Sequence, residues 1–84
     1  MATCLVTGAN RGIGLEYCRQ LQERGDRVVA VCRQSSPELA ALGVQVEVGI
    51  DLSQEASITA LKQRLEGTSL DVVILNAGIL QSMG

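Results

Sequence analysis

Strand-like and helix-like stretches alternate along this 84-residue chain, and that alternation constrains its fold more than any other feature. Four short runs are apolar and rich in β-branched residues: Thr3–Thr7 (TCLVT), Arg27–Cys32 (RVVAVC), Val44–Val48 (VQVEV) and Leu70–Leu75 (LDVVIL). Runs of this kind read as strands. Between them lie three segments with helix signals. In the first, Gly12 to Arg24, residues Gly14, Cys18 and Leu21 recur at helical spacing and Gly25 supplies a stop. The second, Pro37 to Leu42, has Ser36 as a cap, proline at its first position and Gly43 after its end. In the third, Ser53 is the expected cap of a helix running to about Glu66 and closed by Gly67. Its buried stripe is expected to be Ile58, Leu61 and Leu65. Glu55 falls near its positive end.

The order β-α-β-α-β-α-β with short links implies an α/β protein: a parallel sheet with helices on its faces. Right-handed crossovers then restrict the topology. Two crossovers running outward from the first strand, and a third returning to its other side, give the spatial order 3-2-1-4. That arrangement opens a crevice at the carboxyl ends of strands one and four, the switch point where doubly wound sheets bind ligands. No repeat, low-complexity tract or linker divides the chain, so residues 1–84 read as one domain.

Both ends of that crevice carry glycine. After strand one comes TGANRGIG, Thr7 to Gly14, with three glycines in seven residues, and after strand four comes Asn76-Ala77-Gly78. A glycine-rich strand-to-helix turn lets backbone approach a pyrophosphate, and the helix that follows directs unpaired N–H groups at the anion. Gly8 suits the tight turn; Gly12 and Gly14 leave room for phosphate and for helix–strand packing. The alternative is a turn whose glycines serve packing alone. The spacing G-x-x-x-G-x-G is neither G-x-G-x-x-G nor a phosphate loop ending in Lys-Ser/Thr.

These residues resemble the short-chain dehydrogenase/reductase family, in the branch with a T-G-x-x-x-G-x-G loop. Thr7 to Gly14 match that loop throughout. Asp51-Leu52 match the family's acidic dipeptide after strand three, and Leu75-Asn76-Ala77-Gly78 match its N-N-A-G motif except that Leu75 replaces the first Asn. The resemblance runs from residue 1 to about residue 80, and its tone is similar to that of carbonyl-reductase or C-factor-like members. It implies the N-terminal part of a Rossmann sheet, cofactor-binding, from an oxidoreductase that interconverts carbonyl and alcohol groups. It further implies that the backbone around Asn10, Arg11, Gly12 and Ile13 lines the pyrophosphate and ribose. Asp51 would bond the adenine amino group with Leu52 beside the ring, Asn76 would brace strand four, and Ala77 and Gly78 would border the ribose.

The nicotinamide cofactor follows from the end of strand two. NAD-preferring sites place an acid there for the ribose hydroxyls. Here the strand ends Val31-Cys32-Arg33, with Arg33 about 20 residues past the loop and Arg11 inside it. Guanidinium groups suit a phosphate because they stay charged and donate paired hydrogen bonds. NADP(H) is therefore expected over NAD, the alternative being two solvated surface arginines.

Hydride transfer to a carbonyl also needs a proton donor. In the family this is a tyrosine with a lysine four residues on. The sole tyrosine here, Tyr17, has Leu21 four after it, and the sole lysine, Lys62, has Ile58 four before it. Tyr17 is expected to be a packing residue. No catalytic residue is assigned, and the 84 residues are expected to bind without turnover. A non-catalytic dinucleotide module, or a fragment that completes a partner's sheet through strand four, is the competing reading. Strand four looks buried on both faces, as parallel strands are. An unpaired outer rim there predicts a marginal or homo-oligomeric isolated fragment.

Composition argues against other classes. Net charge is −2 with no basic block, so nucleic acid is not an expected partner. Phe and Trp are absent, which removes the aromatic platforms that stack bases. Apolar runs are strand-sized and the N-terminus lacks a signal peptide's basic flank, so a cytosolic protein away from membranes is expected. Cys4, Cys18 and Cys32 form no CxxC pair and there is no histidine; buried core thiols are expected, without zinc or disulfides.

Overall fold

The computed structural model describes residues 1–76. Its elements run β1 (Thr3–Thr7), α1 (Gly12–Glu23), β2 (Arg27–Val31), α2 (Pro37–Leu42), β3 (Gln45–Glu47), α3 (Glu55–Arg64) and β4 (Val72–Ile74). The four strands form one sheet in the order β3-β2-β1-β4, and every pair is parallel. Register aligns Leu5 with Val29 on one side and with Val73 on the other.

Side chains alternate across the sheet and build a core on each face. Cys4, Val6, Val28 and Ala30 pack with Cys18 and Leu21 of α1 and Leu39 of α2. Leu5, Val29 and Val31 pack with Ile50 and with Leu61 and Leu65 at the end of α3. All three cysteines are buried and free, and all belong to the α1/α2 face. The result is a three-layer α/β/α arrangement, which is the physical reason β1 and β2 are apolar on both faces.

Local signals explain most boundaries. The Ser36 hydroxyl accepts from the Leu39 N–H at 3.2 Å, and Gly43 ends α2 in the left-handed conformation, φ 74°. At α3 the expected cap is displaced: Gln54 is the capping residue and makes no side-chain bond, because the Ser53 hydroxyl is bonded to Asp51 instead. Ile58 faces solvent rather than joining the buried stripe, which leaves Leu61 and Leu65. Tyr17 is also exposed, along the hollow between α1 and β4.

Strand four differs most from expectation. It is only three residues long, and Val73 is 52% exposed. The described helices cover β1 and β2, so the two faces of β4 open onto hollows, one lined by Tyr17, Leu21, Val72 and Ile74 and the other by Leu61, Leu65, Val73 and Leu75. At the opposite, amino-terminal edge two carboxylates secure β1. Asp26 accepts from the Ala2 N–H at 3.1 Å and Asp71 from the Thr3 N–H at 2.8 Å. Among the described residues no helix is long and apolar enough to cross a membrane, and no group of three or more His, Cys, Asp or Glu could hold a metal.

Candidate functional site

The carboxyl ends of β1 and β4 meet as the topology requires, and a buried hydroxyl joins them. The Thr7 Oγ1 accepts from the Asn76 N–H at 2.7 Å and donates to the Ile74 carbonyl at 3.4 Å. Thr7 is the one buried polar residue of the described core. Sequence reasoning placed Thr7 in the motif but gave it no role. The signal was available: a β-branched residue with a hydroxyl, last in a central strand, needs a partner for that hydroxyl.

The loop from Gly8 to Arg11 turns between β1 and α1. Gly8 has φ 60°, a conformation that other residues rarely adopt. Ala9 is fully buried, and its N–H donates to the Val31 carbonyl at 3.2 Å, so the loop is fastened to the end of β2. Gly12 and Gly14 serve different ends. Gly12 has φ 60° and open space where a Cβ would lie. A Cβ on Gly14 would come 2.2 Å from the Gly8 carbonyl oxygen and 2.7 Å from the Asn76 side-chain nitrogen. Gly14 is thus the point where α1, the loop and the end of β4 touch.

Helix α1 starts without a side-chain cap and without an acid in its first turn. Its leading N–H groups and the positive end of its dipole therefore face the crevice uncompensated. Asn10 is half-buried there, and Arg11 and Ile13 are exposed. This is the chemistry an anion would use: bare backbone, unpaired donors, and no side chain crowding Gly12. The residues present therefore fit a pyrophosphate.

At the ends of β2 and β3 a second group of residues assembles. Backbone bonds from Cys32 N–H to the Glu47 carbonyl, from Ile50 N–H to the Cys32 carbonyl and from Gly49 N–H to the Arg33 carbonyl knit the two strand ends together. They place Arg33 beside Asp51. The Asp51 carboxyl is held below its ordinary value, first by the Ser53 hydroxyl, then by the Ser53 N–H, with the Arg33 charge a smaller contribution. Leu52 is half-buried against the α3 core. Arg11 and Arg33 are each two residues from the Ala9–Val31 bond that joins the two groups. Among the described residues neither guanidinium makes an ion pair. At the end of β4 the Asn76 N–H is held by the Thr7 hydroxyl; Ala77 and Gly78 lie outside the described residues.

Known proteins share this sequence pattern and this fold. The sequence matches the short chain dehydrogenase family over residues 2–84. It is 43% identical over 82 residues to 1-hydroxy-2-glutathionyl-2-methyl-3-butene dehydrogenase of Rhodococcus sp. (strain AD45), covering 95% of this chain and 36% of the relative. Among solved structures, a Burkholderia multivorans protein described as a short-chain dehydrogenase/reductase with bound NADP superposes with a TM-score of 0.84 at 33% identity. That match covers 92% of this chain and 36% of the other. A 4-hydroxyisoleucine dehydrogenase in complex with NADH superposes with a TM-score of 0.76 at 28% identity, covering 87% of this chain and 32% of the other. The chain thus spans about a third of the length of these relatives and aligns with their N-terminal part. By sequence and by fold, this chain belongs to the short-chain dehydrogenase/reductase family.

Proposed function

We propose that the chain is the dinucleotide seat of an NADP(H)-dependent oxidoreductase that interconverts carbonyl and alcohol groups in the cytosol. One observation carries the choice of cofactor. The residue two beyond β2 that would meet the adenosine ribose is Arg33, an exposed cation, where an NAD site has an acid. Arg11 supplies a second cation from the loop. In this reading the N–H groups at the start of α1 and the backbone from Asn10 to Ile13 hold the pyrophosphate. Arg33 and Arg11 hold the 2′-phosphate. Asp51 accepts from the adenine amino group with Leu52 beside the ring, Asn76 braces β4, and Ala77 and Gly78, outside the described residues, are assigned to the ribose. The nicotinamide, when bound, supplies the hydride. The 84 residues contain no Tyr-x-x-x-Lys pair, so these side chains bind and orient while the proton donor lies elsewhere in the whole protein.

Titration of the chain with NADPH and NADH tests this. Arg33→Ala is expected to weaken NADPH about tenfold or more, the scale of a lost charge-assisted hydrogen bond, and to leave NADH nearly unchanged. Equal losses for the two cofactors, or no loss, would sink the assignment.

A further inference from the structure

The turn that carries Asp51 contains a second polar residue with nothing structural to do at the helix it precedes. Ser53 stands where a cap for α3 is expected, yet Gln54 occupies that position. The Ser53 hydroxyl and its N–H both donate to the same carboxylate oxygen, Asp51 Oδ1, at 2.6 and 3.0 Å. Among the described residues no hydrogen bond reaches Oδ2. The turn itself is anchored: Ile50 is buried and Leu52 packs on the same core, one on each side of Asp51. The Gln54 N–H closes it onto the Asp51 carbonyl at 2.9 Å.

We infer that Ser53 is a positioning residue, which locks the Asp51 carboxylate by one oxygen so that the other is presented to the adenine amino group. The inference rests on the cofactor reading above. A free aspartate rotates about two torsions, and freezing them on binding lowers affinity. Two local donors freeze them beforehand, so the acceptor is pre-organised when the base arrives. The paired bonds also favour the charged carboxylate, whose oxygens only accept.

A chemical comparison isolates this role. The chain, with Ser53→Ala and Ser53→Thr variants, is titrated with NADPH and with its hypoxanthine analogue, in which a carbonyl oxygen stands where adenine has its amino group. Ser53→Ala is expected to weaken NADPH about fivefold, the loss of one ordinary hydrogen bond, and to leave the analogue unchanged. Ser53→Thr, which keeps the hydroxyl, is expected to restore NADPH binding. Equal weakening of both ligands, or of neither, in a wild-type chain that binds NADPH overturns the role of Ser53 and leaves the cofactor reading standing. Failure of the wild-type chain to bind either ligand overturns both. Thermal unfolding of each variant separates a loss of fold from a loss of recognition.

Discussion

A methyl group on Gly14 would have to displace backbone, since the nearest atom is the Gly8 carbonyl oxygen. Gly14→Ala is therefore expected to cost about 1–3 kcal/mol or more in urea unfolding, as overpacking does, and to abolish dinucleotide binding by pushing the loop out of place. Gly12→Ala meets no neighbour and is expected to cost only the roughly 1–2 kcal/mol of a left-handed backbone. Both variants in one series would distinguish crowding from backbone strain. Spacing in the sequence set Gly8 apart as the tight turn. It did not separate Gly12 from Gly14, because a neighbour 62 residues later, Asn76, supplies part of the crowding at Gly14. Ser53 was misread for a related cause. A serine before a helix is a good cap in isolation, but Asp51 two residues earlier competes for its hydroxyl and wins through a charge-assisted bond.

Between elements, the joint at Thr7 holds β4 to β1 at the mouth of the crevice. Thr7→Val keeps the shape and deletes the hydroxyl, leaving the Asn76 N–H without its acceptor. A loss of about 1–3 kcal/mol is expected in denaturant unfolding, together with weaker dinucleotide binding; Thr7→Ser should recover part of both. Strand order was legible beforehand, since short links and right-handed crossovers leave few topologies. Strand burial was not. Val72 and Val73 carry the composition of an interior strand, but what an interior strand touches depends on its neighbours. Helix α2 was read correctly throughout because its cap, its proline and its terminal glycine are all local.

Across the whole molecule the two cores differ in chemistry. The thiols are confined to the α1/α2 face, and burial pushes all three upward, Cys18 to about 11. A thiol that stays protonated in the folded chain but ionises when unfolded near pH 9 makes stability depend on pH. The contribution is complete below the unfolded value and falls away as pH rises through about 11. Urea midpoints should therefore hold steady from pH 7 to about 8.5 and decline above about 9. A triple Cys→Ala variant, less stable throughout from lost packing, should show a flatter alkaline limb. Alkylation of the native chain at pH 7 should be slow and should track unfolding, since the thiols are both protonated and enclosed.

The position of β1 also has a consequence in time. It is the first strand in the chain and it lies in the interior of the sheet, with β2 on one side and β4 on the other. The contact between Thr3 and Asp71 spans 68 residues. At about 5–20 residues per second, synthesis of that span lasts roughly 3–14 s. During that interval one edge of β1 is a row of unmet donors and acceptors, pressed against a half-built sheet. Completion of β1 waits for β4, and a nascent chain must keep that edge from other partners until β4 arrives.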